Sequence, residues 1–169
     1  MLKTLTETKQ GAPARQQHKP PGHRALRRGR ISLPGHVYLV TAATVKRKRF
    51  FQQFDAACAA CRSFEDSRTL GDACMLAWVL MPDHGHWLIR LGGKTSLDQV
   101  VNHLKSASAR SVNRLIGRQG ALWQRAYHDH ALRAEENLRQ AARYIIANPL
   151  RAGLVKRVGD YPFWNAVWV

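Results

Sequence analysis

The stretch Met75 to Leu91, MLAWVLMPDHGHWLIRL, constrains this chain more than any other. Two apolar runs are separated only by Pro82 and Asp83, a pair suited to a tight reversal. The stretch therefore predicts two antiparallel strands, Met75 to Met81 and His84 to Leu91, at the centre of a domain. His84 and His86 open the second strand. Side chains two apart on a strand share a face, so these imidazoles, about 6 to 7 Å apart at their Cα atoms, can converge on one ion. An isolated His-x-His more often marks one or two turn histidines satisfied by backbone or water, so a metal site needs further ligands from elsewhere.

The rest of the pattern fits around this hairpin. HVYLVTAAT, His36 to Thr44, is β-branched and aromatic and follows the turn signal Leu33-Pro34-Gly35, which predicts the first strand. A helical pattern runs from Phe51 to Phe64. Lys94 to Gly117 predicts a longer helix, capped by Ser96 and Gln99 and burying Leu97, Val100, Val101, Leu104 and Leu115, with Gly117 as its stop. Gly120 to Arg133 ends in an alternating fourth strand. Glu135 to Ala147 predicts a last helix with the stripe Leu138, Ala141, Ala142, Ile145 and Ile146, ended by Pro149. This order suggests an α+β, ferredoxin-like sandwich with an antiparallel sheet and an added C-terminal helix that bears Tyr144.

Charge narrows the partner. The chain has 27 basic against 11 acidic residues, a formal net charge of +16 and a pI near 10.9. A surface so positive favours a polyanion. Nucleic acid fits better than membrane, because no apolar run has bilayer-spanning length and no secretory pattern precedes the basic start; a cytoplasmic protein is expected. Residues 1–32 read as a basic, flexible arm, with eight lysines and arginines up to Arg30 against the single acid Glu7. Residues 33–169 read as one domain. Candidate phosphate contacts are Arg24, Arg27, Arg28 and Arg30 beside the fold and the cluster Lys46, Arg47, Lys48 and Arg49 after the first strand. Lys105, Arg110 and Arg114 on the long helix join them, interleaved with Ser106, Ser108, Ser111 and Asn113. The plain alternative for each group is a solvated face.

Other chemistry-bearing residues receive lesser roles. Cys58 and Cys61 sit three apart in an alanine-rich helical segment without a second ligand pair, and read as buried helix cysteines. His128-Asp129-His130 is a second His-x-His, but no third ligand can be placed for it. Trp123 reads as core more readily than as a base-stacking platform. Tyr144 lies at the edge of its helix's apolar stripe and Asn148 follows four residues later, so a phenol and an amide project from one side of the helix and can enter one site together.

MPDHGHWLIRL and ARYIIANPLRAGLV, with LWQRAYHDHALR between them and LPGHVYLVT ahead, occur in an order that resembles the single-tyrosine HUH superfamily of DNA-nicking enzymes. Within it the resemblance is to the transposases associated with repetitive extragenic palindromes and their insertion-sequence relatives. It spans Leu33 to Val155. The residue between the two histidines, usually bulky and hydrophobic in that family, is Gly85 here.

The resemblance implies His84 and His86 as paired metal ligands, Tyr144 as nucleophile, and Asn148 as the group that completes or supports the metal site. It implies Mg²⁺ or Mn²⁺ as cofactor and single-stranded or hairpin DNA from palindromic repeats as partner. The product would be a 5′-phosphotyrosine and a free 3′-hydroxyl, reversible into strand transfer, carried out by a monomer or a homodimer. It implies the same fold. Two alternatives stay open: a catalytically impaired, domesticated nucleic-acid-binding module, towards which Gly85 leans, and a zinc hydrolase using Asp83 as a further ligand.

Overall fold

The computed structural model describes residues 32–132 and 137–168. Its centre is the expected hairpin. β2 (Cys74–Met81) and β3 (His84–Arg90) pair antiparallel, with Met81 opposite His84 across the Pro82-Asp83 turn. β1 (Val37–Ala43) runs along the other side of β3, pairing Thr41 with His86 and Ala43 with His84. β4 (His128–Ala131) adds to the free edge of β1, and β5 (Trp164–Ala166) to the free edge of β2. The resulting order, β4-β1-β3-β2-β5, is an open antiparallel sheet whose first four strands have the ferredoxin-like arrangement.

β5 was not expected from the sequence. It has only three residues after Pro162, too few for an alternating pattern to register. Tertiary contacts hold it in place. The Leu80 amide donates to the Phe163 carbonyl at 2.9 Å, and the Tyr161 hydroxyl donates to the Leu80 carbonyl at 2.7 Å.

One face of the sheet is sealed by aromatic packing under α1 (Phe54–Cys61), the short α2 (Ser67–Leu70) and α3 (Leu97–Leu115). Trp87, fully buried, meets Phe64 at 5.3 Å and Trp123 at 5.5 Å between ring centroids, and Trp123 meets Phe51 at 5.1 Å. Trp123 is thus core. Its Nε1 donates to the buried Ser108 hydroxyl at 2.9 Å, which takes Ser108 out of the set of possible phosphate contacts. Burial holds the Cys61 thiol protonated, as suits a helix cysteine.

α3 begins as its sequence predicts, with Ser96 and Gln99 forming a reciprocal capping box. Leu115, expected in the buried face, is instead 52% exposed. Val112 is the last fully buried residue of the helix, and Ile116 packs against the core beyond it.

α4 (Leu138–Ile146) covers the opposite face. It starts later than expected, at the Asn137 cap, whose side chain accepts from the Arg139 and Gln140 amides. Pro149 does not simply end this helix. The break falls at Ala147, with ψ near 0°, and Pro149 sits in the first turn of a new short helix, α5 (Asn148–Arg151), where its missing N–H costs nothing. Among the described residues no helix is long and apolar enough to cross a membrane.

Candidate active site

The strand period that buries Trp87 on one face turns His84 and His86 to the other, the side covered by α4. Their rings stand edge to face with centroids 5.0 Å apart. Each is anchored through Nδ1. His84 Nδ1 lies 2.6 Å from Asp83 Oδ1, and His86 Nδ1 lies 2.8 Å from the Thr41 hydroxyl across the β1–β3 register. Where Nδ1–H is the donor to that carboxylate or hydroxyl, Nε2 is the nitrogen the ring can offer to a cation. Burial, reinforced by the charges of His84, Arg151 and Arg47, pushes the His86 imidazole down to about 4, so it is neutral at physiological pH. Asp83 Oδ1 faces the Nδ1 side of His84 and Oδ2 accepts from Arg47 Nη1 at 3.3 Å, so this carboxylate orients the ring from behind.

Tyr144 is not a core tyrosine: it is 60% exposed on α4. It borders a cleft of about 470 Å³ between α4 and the β1–β4 edge, with Leu39, His130, Leu132, Asn137, Gln140 and Ala141. The Asn148 amide is fixed at both ends. Nδ2 donates to the Ile145 carbonyl at 2.8 Å, which turns Oδ1 outward, and Oδ1 accepts from Arg151 Nη2 at 2.8 Å. The same Nη2 donates to the Tyr144 carbonyl at 2.7 Å, and the guanidinium carbon lies 4.0 Å from the centre of the Tyr144 ring. Arg151 therefore joins Tyr144 to Asn148, and its charge reaches His86.

The expected basic residues are spread over two layers. Lys46 to Arg49 are exposed and lie against the histidine turn. Lys46 and Arg47 both have φ of 53°, a left-handed conformation that side chains with a Cβ adopt at a cost. Tertiary bonds maintain it: the Thr44 amide donates to the Asp83 carbonyl at 2.9 Å, and the Phe51 amide to the Pro82 carbonyl at 3.0 Å. Lys105, Arg110 and Arg114 ride on α3, behind the sheet as seen from the histidines. Lys105 Nζ donates to the Arg125 carbonyl at 3.0 Å. Arg24, Arg27, Arg28 and Arg30 lie outside the described residues. His128 and His130 share the histidine face, opposite Thr41 and Leu39 in the β1–β4 register.

Thr41 and Arg151 join the candidate site without a signal read from the sequence, and Asp83, weighed there only as a possible zinc ligand, supports His84 instead. Thr41 is found only from the cross-strand register. Asp83 reads first as a turn residue. Arg151 stands three residues after Asn148, a helical spacing that was visible but lay beyond the break expected at Pro149.

Among the described residues, no three His, Cys, Asp or Glu side chains converge to hold a metal. The two oriented imidazoles nevertheless suit a divalent cation, with the remaining donors coming from an amide oxygen, water or a substrate oxygen. The donor chemistry thus fits the group that the resemblance implies.

A family model described as IS200-like transposase matches residues 35–148, well over half of the chain, and includes the hairpin, Tyr144 and Asn148. The chain belongs to the IS200-like transposase family. It is 31% identical over 88 residues to the REP-associated tyrosine transposase of Escherichia coli K12, covering 52% of this chain and 50% of that protein. To a Haemophilus influenzae protein described as a candidate REP-associated tyrosine transposase it is 29% identical over 98 residues, covering 52% and 56%. The chain spans about half the length of these curated relatives. A solved REP-associated tyrosine transposase bound to a REP hairpin has the same fold, with a TM-score of 0.63 at 24% identity over 80% of this chain and 79% of that one. Arg151 and β5 fall beyond the stretch matched by the family model.

Proposed function

We propose that this IS200-like family member nicks single-stranded or hairpin DNA, of the palindromic-repeat type, and transfers the strand through a covalent bond to Tyr144. The observation that carries the reading is the facing pair of elements: two histidines held through Nδ1, and an exposed tyrosine on the helix across the same face, linked to Asn148 by one arginine.

His84, His86 and Asn148 Oδ1 are the residues that would hold Mg²⁺ or Mn²⁺. When bound, the ion supplies Lewis-acid charge neutralisation at the scissile phosphate. The residues do the rest. Asp83 and Thr41 keep the imidazoles in the ligating tautomer. The Tyr144 oxygen forms the new bond to phosphorus while the bond from phosphorus to the 3′ oxygen breaks. The phenol gives up its proton and the departing oxygen gains one, leaving a 5′-phosphotyrosine and a 3′-hydroxyl. Attack by a 3′-hydroxyl on the phosphotyrosine reverses the step and rejoins DNA without ATP. The cleft beside Tyr144 is open enough for a nucleotide, and Lys46 to Arg49 bring positive charge to the histidine turn. Lys105, Arg110 and Arg114, together with the basic arm of residues 1–32, hold more distant phosphates. The protein acts as a monomer or a homodimer in the cytoplasm.

Gly85, the departure that favoured a pure binding module, is buried on the face away from the histidines. A Cβ there would lie 3.3 Å from the Trp87 ring and 3.6 Å from Leu80. The indole of Trp87 thus occupies the space that a bulkier residue at 85 would use, so the glycine removes no ligand and leaves no hole.

The test is covalent trapping. End-labelled hairpin and single-stranded DNA, including palindromic repeats flanking the gene, is incubated with Mn²⁺ and resolved on denaturing gels. The expected result is an adduct that requires the metal and is absent from Tyr144→Phe at unchanged thermal stability, since the Tyr144 side chain is exposed. DNA binding by both proteins with no adduct from either would replace this reading with the binding module. Metal-dependent cleavage that persists in Tyr144→Phe with free products would favour a hydrolase.

A further inference from the structure

The guanidinium of Arg151 touches both a proposed metal ligand and the proposed nucleophile. The Asn148 carboxamide cannot turn to offer another atom, because Nδ2 is committed to the Ile145 carbonyl. Its oxygen already accepts from the charged Arg151 Nη2 at 2.8 Å. A cation drawing on that oxygen meets a fixed positive charge on the same atom, and the two repel. The same guanidinium lies over the Tyr144 ring and is held to the Tyr144 carbonyl.

We propose that Arg151 is a latch on this site: it occupies the Asn148 oxygen until a DNA phosphate draws the guanidinium away and frees that oxygen for the metal. The inference rests on the reading of His84, His86 and Asn148 as metal ligands. Its driving force is a difference in acceptors. A phosphate oxygen is charged and matches the planar fork of arginine, whereas an amide oxygen is neutral and receives a single N–H. A phosphate approaching Tyr144 therefore competes for Arg151 on favourable terms. Metal and DNA each help the other to bind, by the same factor in both directions. Without DNA, the latch keeps the complete ligand set from forming.

The experiment measures Mn²⁺ affinity of the full chain by calorimetry, without DNA, for wild type, Arg151→Ala, Arg151→Lys, Asn148→Ala and the double variant Arg151→Ala with Asn148→Ala. Arg151 is exposed, so these variants should fold, and circular dichroism checks that they do. The latch predicts that Arg151→Ala binds Mn²⁺ about five- to tenfold more tightly than wild type, the size of one charge-assisted hydrogen bond at an exposed site. It also predicts that this gain disappears when Asn148 is already alanine. Arg151→Lys keeps the charge but loses the fork, and should show part of the gain. A single-stranded oligonucleotide should tighten Mn²⁺ binding in wild type and much less in Arg151→Ala.

An equal gain in both Asn148 backgrounds would mean that Arg151 acts only as a distant charge, and would overturn the latch alone. Unchanged or weaker binding in Arg151→Ala would overturn it too. His84→Ala separates the two levels of the argument. Mn²⁺ binding should be lost there, and binding that survives would overturn the metal-site reading and the latch with it.

Discussion

β3 presents two different surfaces from one run of seven residues. On one side Trp87 and Ile89 are fully buried, and Trp87 is packed against aromatic rings from other elements. On the other, His84 and His86 are only partly covered, and each is fixed by a polar partner rather than by packing. The two faces divide the work. The aromatic side supplies the rigidity that keeps the strand in register, and the histidine side uses that rigidity to hold two rings in place without enclosing them. A site built this way can be emptied of function with little loss of stability, and the converse holds for its support.

The sharpest way to break this division is to truncate one residue on each face. Trp87→Ala should cost about 3 to 5 kcal/mol, as for other large core aromatics, read as a lowered urea midpoint with the slope unchanged. His84→Ala should leave the unfolding free energy within about 0.5 kcal/mol of wild type and remove Mn²⁺ binding. A large fall in stability for His84→Ala would show that the histidine face also carries the fold.

Gly85 sharpens the comparison with a smaller effect. Its missing side chain is directed at Trp87, so Gly85→Val inserts atoms into a space already filled at 3.3 Å. Overpacking should cost about 1 to 3 kcal/mol. Pairing it with Trp87→Leu should recover part of that loss, because the smaller residue at 87 vacates the space. Additive losses in the double variant would show that the two positions do not share it.

The sequence reveals these two faces unequally. The hairpin is legible because its apolar runs and its turn are local, and α3 because its capping box is written within four residues. The histidine pair follows from the period of the strand. Three things escape the sequence, two because they depend on contacts distant along the chain and the third because it depends on a local break in a helix. Thr41 reaches His86 from 45 residues away. β5 lies at the edge of β2 because Tyr161 and Phe163 fasten it to Leu80. Arg151 returns to Tyr144 only because the chain breaks at Ala147 and starts a second helix at Asn148, where the proline reads locally as an end. Leu115 shows the reverse error: its spacing marks it as core, yet the last turn of α3 leaves it exposed.

Two carboxylates beside β3 extend the contrast to the weakest effects. Asp83, at the histidine end, bonds to His84 and Arg47. Asp72, near the other end, accepts from the Gly93 and Lys94 amides at 2.7 Å each. Asp83→Asn should weaken Mn²⁺ binding about tenfold, through loss of the partner that fixes the His84 tautomer, with stability nearly unchanged. Asp72→Asn should do the opposite. The Thr95 hydroxyl and the two backbone amides hold the Asp72 carboxyl well below the usual carboxylate range. The ionised form is therefore the one the fold prefers. Its contribution is fully present above the unfolded-state value of about 4 and declines as pH falls below it. Thermal midpoints of wild type and Asp72→Asn should differ modestly at pH 7 and converge between about pH 4 and pH 2, with Mn²⁺ affinity equal in the two. A midpoint gap that stays constant down to pH 2 would mean that Asp72 acts through its shape rather than its charge.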